Sequence, residues 1–206
     1  DNEVAHLRKD VSFEKASSGA MGADPLTLYD CCPTPTPAQH EALLRLREHV
    51  VSHMNELGML RPGNQELLFN TPLGVLRKNA TQRHGVTRWK RHQEGLELLT
   101  VDLHPRLLTE EWTDYGTFVM FHEFIHALGW RAHDAEFRLL EARWPNKQAV
   151  SQGPLFTNTL RLEQAKWIWY CPSCEGKFPR KRRANGRFQC RGCKVNLLDV
   201  PRSSSR

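Results

Sequence analysis

Apolar residues recur at helical spacing in three segments of the chain. Between residues 37 and 58 they follow three- and four-residue steps, which predicts an amphipathic helix of about five turns. Residues 109–129 are apolar on more than one face, with acids in the first turn and Gly129 at the end, so we expect a helix at the centre of the core. A shorter helix is predicted from Asp134 to Trp144, ending before Pro145.

Residues 68–105 show a different pattern, with short segments that contain β-branched or aromatic residues and are separated by turn-forming positions. Three strands are predicted there, within residues 71–79, 84–93 and 95–105. In the last of them Leu99, Val101 and Leu103 fall on one face, which is typical of a half-buried strand. The pattern therefore predicts an α+β fold of helices and a small three-stranded sheet.

Composition divides the chain into four parts. Residues 1–36 are rich in Ser, Gly, Pro and Ala and lack a sustained period, so we expect a disordered or loosely docked segment. Residues 37–165 form the predicted main domain, residues 166–200 a cysteine-containing domain, and residues 201–206 a tail. No run of eighteen apolar residues is present, and the first residues lack the pattern of a secretory signal, so we expect a protein without a membrane partner.

Charge is distributed unevenly along the chain. Residues 166–206 carry 11 Lys and Arg against 2 Asp and Glu, whereas the residues before them carry 18 against 21. The net charge of +6 therefore arises from the C-terminal end. A mildly acidic body with a strongly basic end indicates a polyanion-binding module attached to another domain.

The central predicted helix contains the string His122-Glu123-Phe124-Ile125-His126. Residues four apart lie on the same side of a helix, so both imidazoles can bind one zinc ion. Glu123 lies beside that pair and is placed to act as a general base. Ordinary core or surface histidines are the alternative, but an apolar helix makes uncompensated polar groups costly to bury.

A catalytic zinc site usually has three protein ligands and leaves one position for water. Because Gly129 ends the helix, the chain can turn and bring His133 back to the ion, and we predict His133 as the third ligand. Glu136 and Glu141 are the alternatives. Such a site predicts peptide hydrolysis by Glu-assisted attack of a zinc-bound water.

The group that stabilises the oxyanion is not evident from the sequence. His104 and Tyr115 are candidates, although a structural role is favoured for each.

Two Cys-x-x-Cys pairs, separated by fifteen residues, predict a closed structural zinc site. Its ligands are Cys171, Cys174, Cys190 and Cys193. Redox or disulfide chemistry is the alternative. Residues 166–200 hold too little apolar material to fold without metal, so we predict a small zinc ribbon. Zinc-binding thiolates must stay reduced, which favours an intracellular compartment.

Basic residues surround these cysteines, with Phe178 and Phe188 among them. Cations neutralise phosphates and aromatic rings stack on unpaired bases, so the ribbon is predicted to bind nucleic acid. A basic surface that only keeps the domain soluble, or a nuclear-import signal, is the alternative. The predicted contacts are Lys177, Arg180, Lys181, Arg182, Arg183, Arg187, Arg191 and Lys194.

Residues 37–199 resemble the SprT-like metalloproteases, the group that includes Spartan. The likeness lies in the leading helix, the short strands, "FHEFIHALGW", "HDAEF" and the ribbon "YCPSCEGKFPRKRRANGRFQCRGC". Family members commonly carry Gly after the third histidine, where this chain has Asp134.

The resemblance implies a zincin-like metalloprotease domain with a C-terminal zinc ribbon of four cysteine ligands. It also implies one catalytic and one structural zinc, and an endopeptidase that cleaves proteins bound or crosslinked to DNA. Its expected partners are protein substrates and DNA that is single-stranded or has unpaired regions. We expect a monomer associated with DNA in the cytoplasm, nucleoid or nucleus.

Two other functions compete with this one. The first is a non-catalytic zinc-ribbon adaptor that binds nucleic acid and has a structural histidine metal site. The second is a secreted zincin, which the missing signal and the four thiolates disfavour.

Overall fold

The computed structural model describes residues 33–93 and 95–202 of the 206-residue chain. The expectation of disorder for residues 1–36 therefore lies outside the described residues, except for the last four positions. The same holds for residues 203–206 of the predicted tail.

The described residues form helices and two small sheets, so the α+β prediction is confirmed. The helices are α1 (Pro37–Glu56), α2 (Asn64–Asn70), α3 (Thr113–Ala127), α4 (Ala135–Glu141), α5 (Lys147–Val150) and α6 (Gly153–Gln164). The strands are β1 (Leu73–Val75), β2 (Gly85–His92), β3 (Gly95–Leu103), β4 (Trp167–Tyr170), β5 (Lys177–Arg180) and β6 (Leu198–Pro201). Within the described residues, no helix is long and apolar enough to cross a membrane.

Local sequence signals define the start of α1. The Thr36 side chain accepts a hydrogen bond from the backbone of Gln39, and the Gln39 side chain accepts one from the backbone of Thr36. This reciprocal capping box satisfies amide groups that the first helical turn leaves without partners. Pro37 occupies the first helical position, where its missing N–H has no consequence. Helix α1 therefore begins at the predicted residue.

The first sheet has the order β1-β3-β2, with β1 parallel and β2 antiparallel to β3. Val101 and Leu103 of β3 are buried as predicted, but Thr100 and Asp102 on the opposite face are buried too. The half-buried pattern is therefore wrong for this end of the strand. The polar face is satisfied internally, because Asp102 accepts hydrogen bonds from Arg88 at 2.5 Å and from Thr100 at 3.0 Å.

Helix α3 lies at the centre of the core, as its apolar pattern predicted. Eleven of its fifteen residues are buried, and it packs against α1 and the first sheet. It begins at Thr113 rather than Thr109, because Thr109 is extended (φ −91°, ψ 152°) between two short 3₁₀ helices. These 3₁₀ helices cover Pro105–Leu108 and Glu110–Trp112.

Helices α2, α5 and α6 were not predicted. Helices α2 and α5 are short, and α6, although longer, buries only Phe156 and Leu160. The chain between α4 and residue 165 was predicted to be a polar connection. It precedes residues 166–200, which we call the ribbon. In the structure it closes the core on the side of Tyr115 and leads directly into β4.

A hydrogen-bonded histidine joins α6 to the rest of the core. His84 contacts the Tyr115 hydroxyl through Nδ1 at 2.6 Å and the Thr157 hydroxyl through Nε2 at 2.9 Å. Its ring packs edge-on against Phe156. Burial, followed by the charge of His104, lowers the pKa of His84 to about 4.

This histidine is expected to make the fold less stable in mild acid. Between pH 6.5 and 4 the unfolded chain takes up a proton at His84 that the folded chain does not, so the free energy of unfolding falls as the pH falls through this window. The free energy of unfolding should change between pH 7 and pH 4.5 by about 2 kcal/mol less in His84→Gln than in the wild type. Urea unfolding at pH 7 and pH 4.5 measures it, with His40→Gln on the exposed face of α1 as the control. Equal pH dependence in both variants would contradict the assignment.

The second sheet has the order β5-β4-β6, with both pairs antiparallel. Its own buried cluster consists of Cys171, Cys190 and Leu197, with Trp169 and Phe178 packed against it. Two cysteines among three buried residues make a very small apolar core for an independent module. The cysteines themselves must therefore contribute to holding it together.

Candidate metal centres

The structure brings His122, His126 and His133 into one cluster. The Nε2 atom of His133 lies 3.1 Å from the Nε2 atoms of both His122 and His126. Three nitrogens that bind one tetrahedral zinc ion at 2.0–2.1 Å are separated by roughly 3.3 Å, so the observed spacing fits a shared metal ion. The three histidines are a group that could hold a metal.

The other ring nitrogens explain why these Nε2 atoms can act as ligands. His122 Nδ1 lies 2.6 Å from the Glu141 carboxylate, and His126 Nδ1 lies 2.5 Å from the Trp130 carbonyl. An acceptor beside Nδ1 keeps the proton on that nitrogen and leaves Nε2 as a lone-pair donor. The Nε2 atom of His133 carries at most one proton and cannot donate to both of these lone pairs at once, whereas one cation shared by the three nitrogens satisfies them all, so the geometry fits a metal-bound state.

Local backbone features place the third histidine. Gly129 adopts a positive φ of 109°, which ends the central helix and reverses the chain. Asp134 then caps α4 by accepting a hydrogen bond from the Phe137 amide at 3.0 Å. His133 is therefore held between a turn and a helix cap. Asp134, at the position where the resemblance expects Gly, has a clear structural role here.

Glu141 supports the cluster from outside instead of joining it. Its carboxylate contacts His122 Nδ1, and that hydrogen bond is the main reason why the pKa of Glu141 lies below its usual value. Among the described residues, the metal-binding group contains neither Glu136 nor Glu141. Glu141 was predicted only as an alternative direct ligand. Its orienting role depends on the packing of α4 against the central helix and was not predicted.

Replacing Glu141 with Gln is expected to weaken metal binding by about 10- to 100-fold, because the carboxylate orients His122 and raises its basicity. Competition between the protein and a chromogenic chelator measures the affinity of the histidine site. Glu136→Gln, one turn earlier on the same helix, is the matched control and should bind metal like the wild type. An unchanged affinity in Glu141→Gln would contradict the orienting role.

Glu123 occupies a tight position beside the histidines and is 5% exposed. Thr87 of β2 donates a hydrogen bond from its hydroxyl to the Glu123 carboxylate at 2.7 Å, and the same hydroxyl lies 2.9 Å from the Glu123 carbonyl. A Cβ atom at Gly85 would come within 2.7 Å of the carboxylate, so only glycine allows β2 to approach this closely. Sequence analysis missed both contacts, because strand register decides them.

Burial raises the pKa of Glu123, and this outweighs the opposing effects of His122 and the Thr87 hydrogen bond. A carboxylate with a raised pKa is a better proton acceptor near neutral pH than an exposed one. The arrangement therefore offers a metal-binding face with a strong general base beside it.

The two residues considered for oxyanion stabilisation lie in the core. His104 is 1% exposed and accepts a hydrogen bond from the Arg106 amide at 3.1 Å. Tyr115 is 5% exposed and contacts His84. Burial, then the charge of Glu141, raises the pKa of Tyr115 to about 12. The structural role favoured for both residues agrees with these positions.

The four predicted cysteine ligands also meet in one cluster, with all sulfurs within 4.8 Å of one another and no disulfide among them. The Sγ atoms of Cys174 and Cys190 are 3.7 Å apart. Four sulfurs around a zinc ion at 2.3 Å are separated by roughly 3.8 Å, so this spacing fits a tetrahedral site. Backbone hydrogen bonds from Cys193 and Gly192 lower the pKa of Cys190 to about 7, while hydrogen bonds with the other sulfurs outweigh the backbone hydrogen bond from Gly176 and raise the pKa of Cys174, so the sulfurs titrate together as one group.

The predicted nucleic-acid contacts all lie on the ribbon, and most of them are exposed to solvent. The exposed ones are Lys177, Lys181, Arg182, Arg183, Arg187, Arg191 and Lys194. Arg180 is half-buried and lies over the ring of Trp169 at 4.9 Å. Phe188 is 48% exposed, whereas Phe178 packs against the small cysteine core and is less available for stacking.

Two tryptophans complete this surface and were not singled out from the sequence. Trp169 stacks on Phe188 with centroids 4.5 Å apart and an angle of 21°. Trp167 lies under Arg183 at 4.1 Å. Aromatic rings interleaved with cations form a surface suited to unpaired bases and phosphates. The alternation of Trp167 and Trp169 along β4 was the sequence signal that places both rings on one face.

Comparisons of the chain with protein-family models, with curated proteins and with solved structures found no match. The geometry of the two clusters and of the ribbon surface is therefore the basis for any functional conclusion.

Proposed function

We propose that this protein is a zinc-dependent endopeptidase of the SprT-like type, which cleaves proteins bound or crosslinked to DNA. The proposal includes a zincin-like body at residues 37–165, a catalytic zinc at the histidine cluster and a structural zinc at the cysteine cluster. The observation that carries it is the convergence of three Nε2 atoms beside the buried carboxylate of Glu123. A purely structural metal site has no need of a general base at this position.

The ligands and their neighbours divide the chemical work. Zinc held by His122, His126 and His133 would supply a Lewis acid that polarises the scissile carbonyl and makes water acidic. Glu123 accepts the proton of the attacking water and delivers it to the leaving amine. Thr87 holds one carboxylate oxygen by a hydrogen bond, which restrains the side chain of the base. Three histidine ligands would leave one coordination position for water or substrate, whereas four cysteine ligands would fill the shell of the other site.

The ribbon supports the DNA part of the proposal. Its exposed cations and the stack of Trp169 and Phe188 combine phosphate neutralisation with base stacking. That combination suits single strands or unpaired regions, whose bases are free to stack. A DNA-bound protease encounters protein substrates at high local concentration, which gives a physical reason for joining the two modules.

Cleavage of a DNA-binding protein with and without a single-stranded oligonucleotide tests this function. We expect zinc-dependent cleavage that the oligonucleotide stimulates. If the zinc-loaded chain cleaves nothing, itself included, but still binds the oligonucleotide, the alternative of a nucleic-acid adaptor is the better description.

The double variant Arg182→Ala, Arg183→Ala is expected to weaken binding to every DNA sequence. Losing two phosphate contacts should reduce the slope of log affinity against log salt concentration by about 1.4 for a single strand. Fluorescence anisotropy at several salt concentrations measures this slope. Arg45→Ala together with Arg91→Ala removes the same charge from exposed positions of the body and is the control. A loss confined to one DNA sequence would contradict phosphate contact.

A further inference from the structure

A positively charged cleft lies where α6 of the body meets β5 of the ribbon. It has a volume of about 160 Å³, which is the space of roughly five water molecules. Arg161 comes from the body and Arg180 and Lys181 come from the ribbon, with Thr81 and Pro179 completing the walls. Three basic residues and a threonine thus border a space large enough for one tetrahedral oxyanion.

Acidic side chains of the described residues do not neutralise these cations. In the described residues, no ion pair involves Arg161, Arg180 or Lys181. Burial lowers the pKa of Arg180, and the neighbouring charges of Arg161 and Arg191 lower it further. Because an arginine stays protonated in a protein, this cluster keeps its mutual repulsion until an anion enters.

Arg180 is held in place before any ligand arrives. Its guanidinium lies over the Trp169 ring at 4.9 Å and donates a hydrogen bond to the Pro179 carbonyl at 2.8 Å. Its own carbonyl accepts a hydrogen bond from the Lys166 amide at 3.0 Å. An arginine fixed in this way loses little side-chain freedom on binding, which favours recognition of an oxyanion.

The two walls of the cleft are also joined firmly. Arg202 donates a hydrogen bond to the Leu162 carbonyl of α6, one residue after Arg161. Its amide bonds to the Lys166 carbonyl at 3.1 Å, next to the start of β4. The cations from the body and from the ribbon are therefore presented as one site.

We propose that this cleft binds a backbone phosphate of the nucleic-acid strand, so that Arg161 of the body and Arg180 and Lys181 of the ribbon share one phosphate contact. The proposal rests on the proposed function, because it extends the strand from the ribbon surface onto the body. Phosphate is the group that the cleft selects, since it offers several charged oxygens to cations arriving from different sides. The contact carries no sequence information.

The test uses the zinc-loaded full chain and a thymidine oligonucleotide in anisotropy titrations at several salt concentrations. Arg161→Gln should lower the salt slope by about 0.7, the value for one phosphate contact on a single strand. Arg161→Lys keeps the charge and should keep the slope. Arg45→Gln removes one charge from α1, far from the ribbon in sequence, and should also keep it. Equal slopes for Arg161→Gln and Arg45→Gln would overturn the proposal.

Titration with inorganic phosphate distinguishes a cleft that binds a phosphate of the nucleic-acid backbone from a cleft that binds free phosphate. At constant ionic strength, phosphate should compete with the oligonucleotide for the wild-type protein more strongly than for Arg161→Gln. If phosphate raises the melting temperature only when Arg161 is present, while the salt slopes do not depend on Arg161, the cleft binds free phosphate and the strand proposal fails.

Failure of this inference is distinguishable from failure of the proposed function. If the double variant of Arg182 and Arg183 loses affinity while Arg161→Gln does not, the ribbon binds DNA and the strand does not reach the cleft. If neither variant changes binding, the nucleic-acid part of the proposed function fails as well.

Discussion

Replacing Glu123 with Gln is expected to lower kcat by about 10²- to 10⁴-fold, the contribution of a well-placed general base. Gln keeps the size of the side chain and an oxygen for the Thr87 hydroxyl, so the contacts with β2 remain. It removes a carboxylate whose pKa burial raises. The variant should therefore bind zinc normally and be at least as stable as the wild type.

These three outcomes together distinguish a catalytic role of Glu123 from a structural one. Cleavage rates, zinc content and urea unfolding are measured on the same preparation, with Glu110→Gln on the exposed surface as the control. Loss of activity with retained stability supports the base. A variant that is destabilised and retains activity would show that Glu123 acts as a structural group, and the enzyme proposal would lose its central residue.

Removing the metal from the cysteine cluster is expected to unfold the ribbon while leaving the body folded. The ribbon buries only Cys171, Cys190 and Leu197 in its core cluster, so its apolar core cannot replace the roughly 10–16 kcal/mol of a structural zinc site. Cys190→Ser should therefore abolish ordered structure in residues 166–200 and with it DNA binding. The body has a separate and much larger core around α3.

Amide hydrogen exchange resolves the two modules in one experiment. In Cys190→Ser the ribbon amides should lose protection, while those of α3 and β3 keep it. Ser173→Ala changes a residue between Cys171 and Cys174, the other Cys-x-x-Cys pair of the cluster, and should leave both modules protected. Ribbon amides that stay protected in Cys190→Ser would mean that side-chain packing alone keeps the ribbon folded.

The sequence predicted the parts of this structure that depend on local or strongly periodic signals. Helix α1 follows from its capping box and apolar spacing, and the central place of α3 follows from its apolar residues on several faces. The seven predicted ligands lie at short spacings in the sequence, so local helix and turn geometry is enough to place them near one another. The structure brings them together in two groups.

Features that depend on tertiary contacts escaped the sequence analysis. The contacts of Thr87 and Gly85 with Glu123 exist because β2 passes the central helix in one particular register. Helix α6 begins with Gly153-Pro154 and continues with Thr157-Asn158-Thr159, residues of low helix propensity, so the local sequence did not indicate a helix. The alternating pattern placed Asp102 on the solvent side of its strand, whereas hydrogen bonds from Arg88 and Thr100 make its burial tolerable.

His133 is the exposed member of the histidine cluster, and it precedes the seven-residue helix α4 rather than lying on the central helix. Short peripheral helices open locally far more often than a core helix unfolds. A brief fraying of the first turn of α4 would release His133, while His122 and His126 stay on the central helix and Glu141, at the other end of α4, keeps its contact with His122. Exchange of the ion with the surroundings should therefore follow the opening rate of α4, and the lability of the centre could be tuned at α4 without disturbing the core.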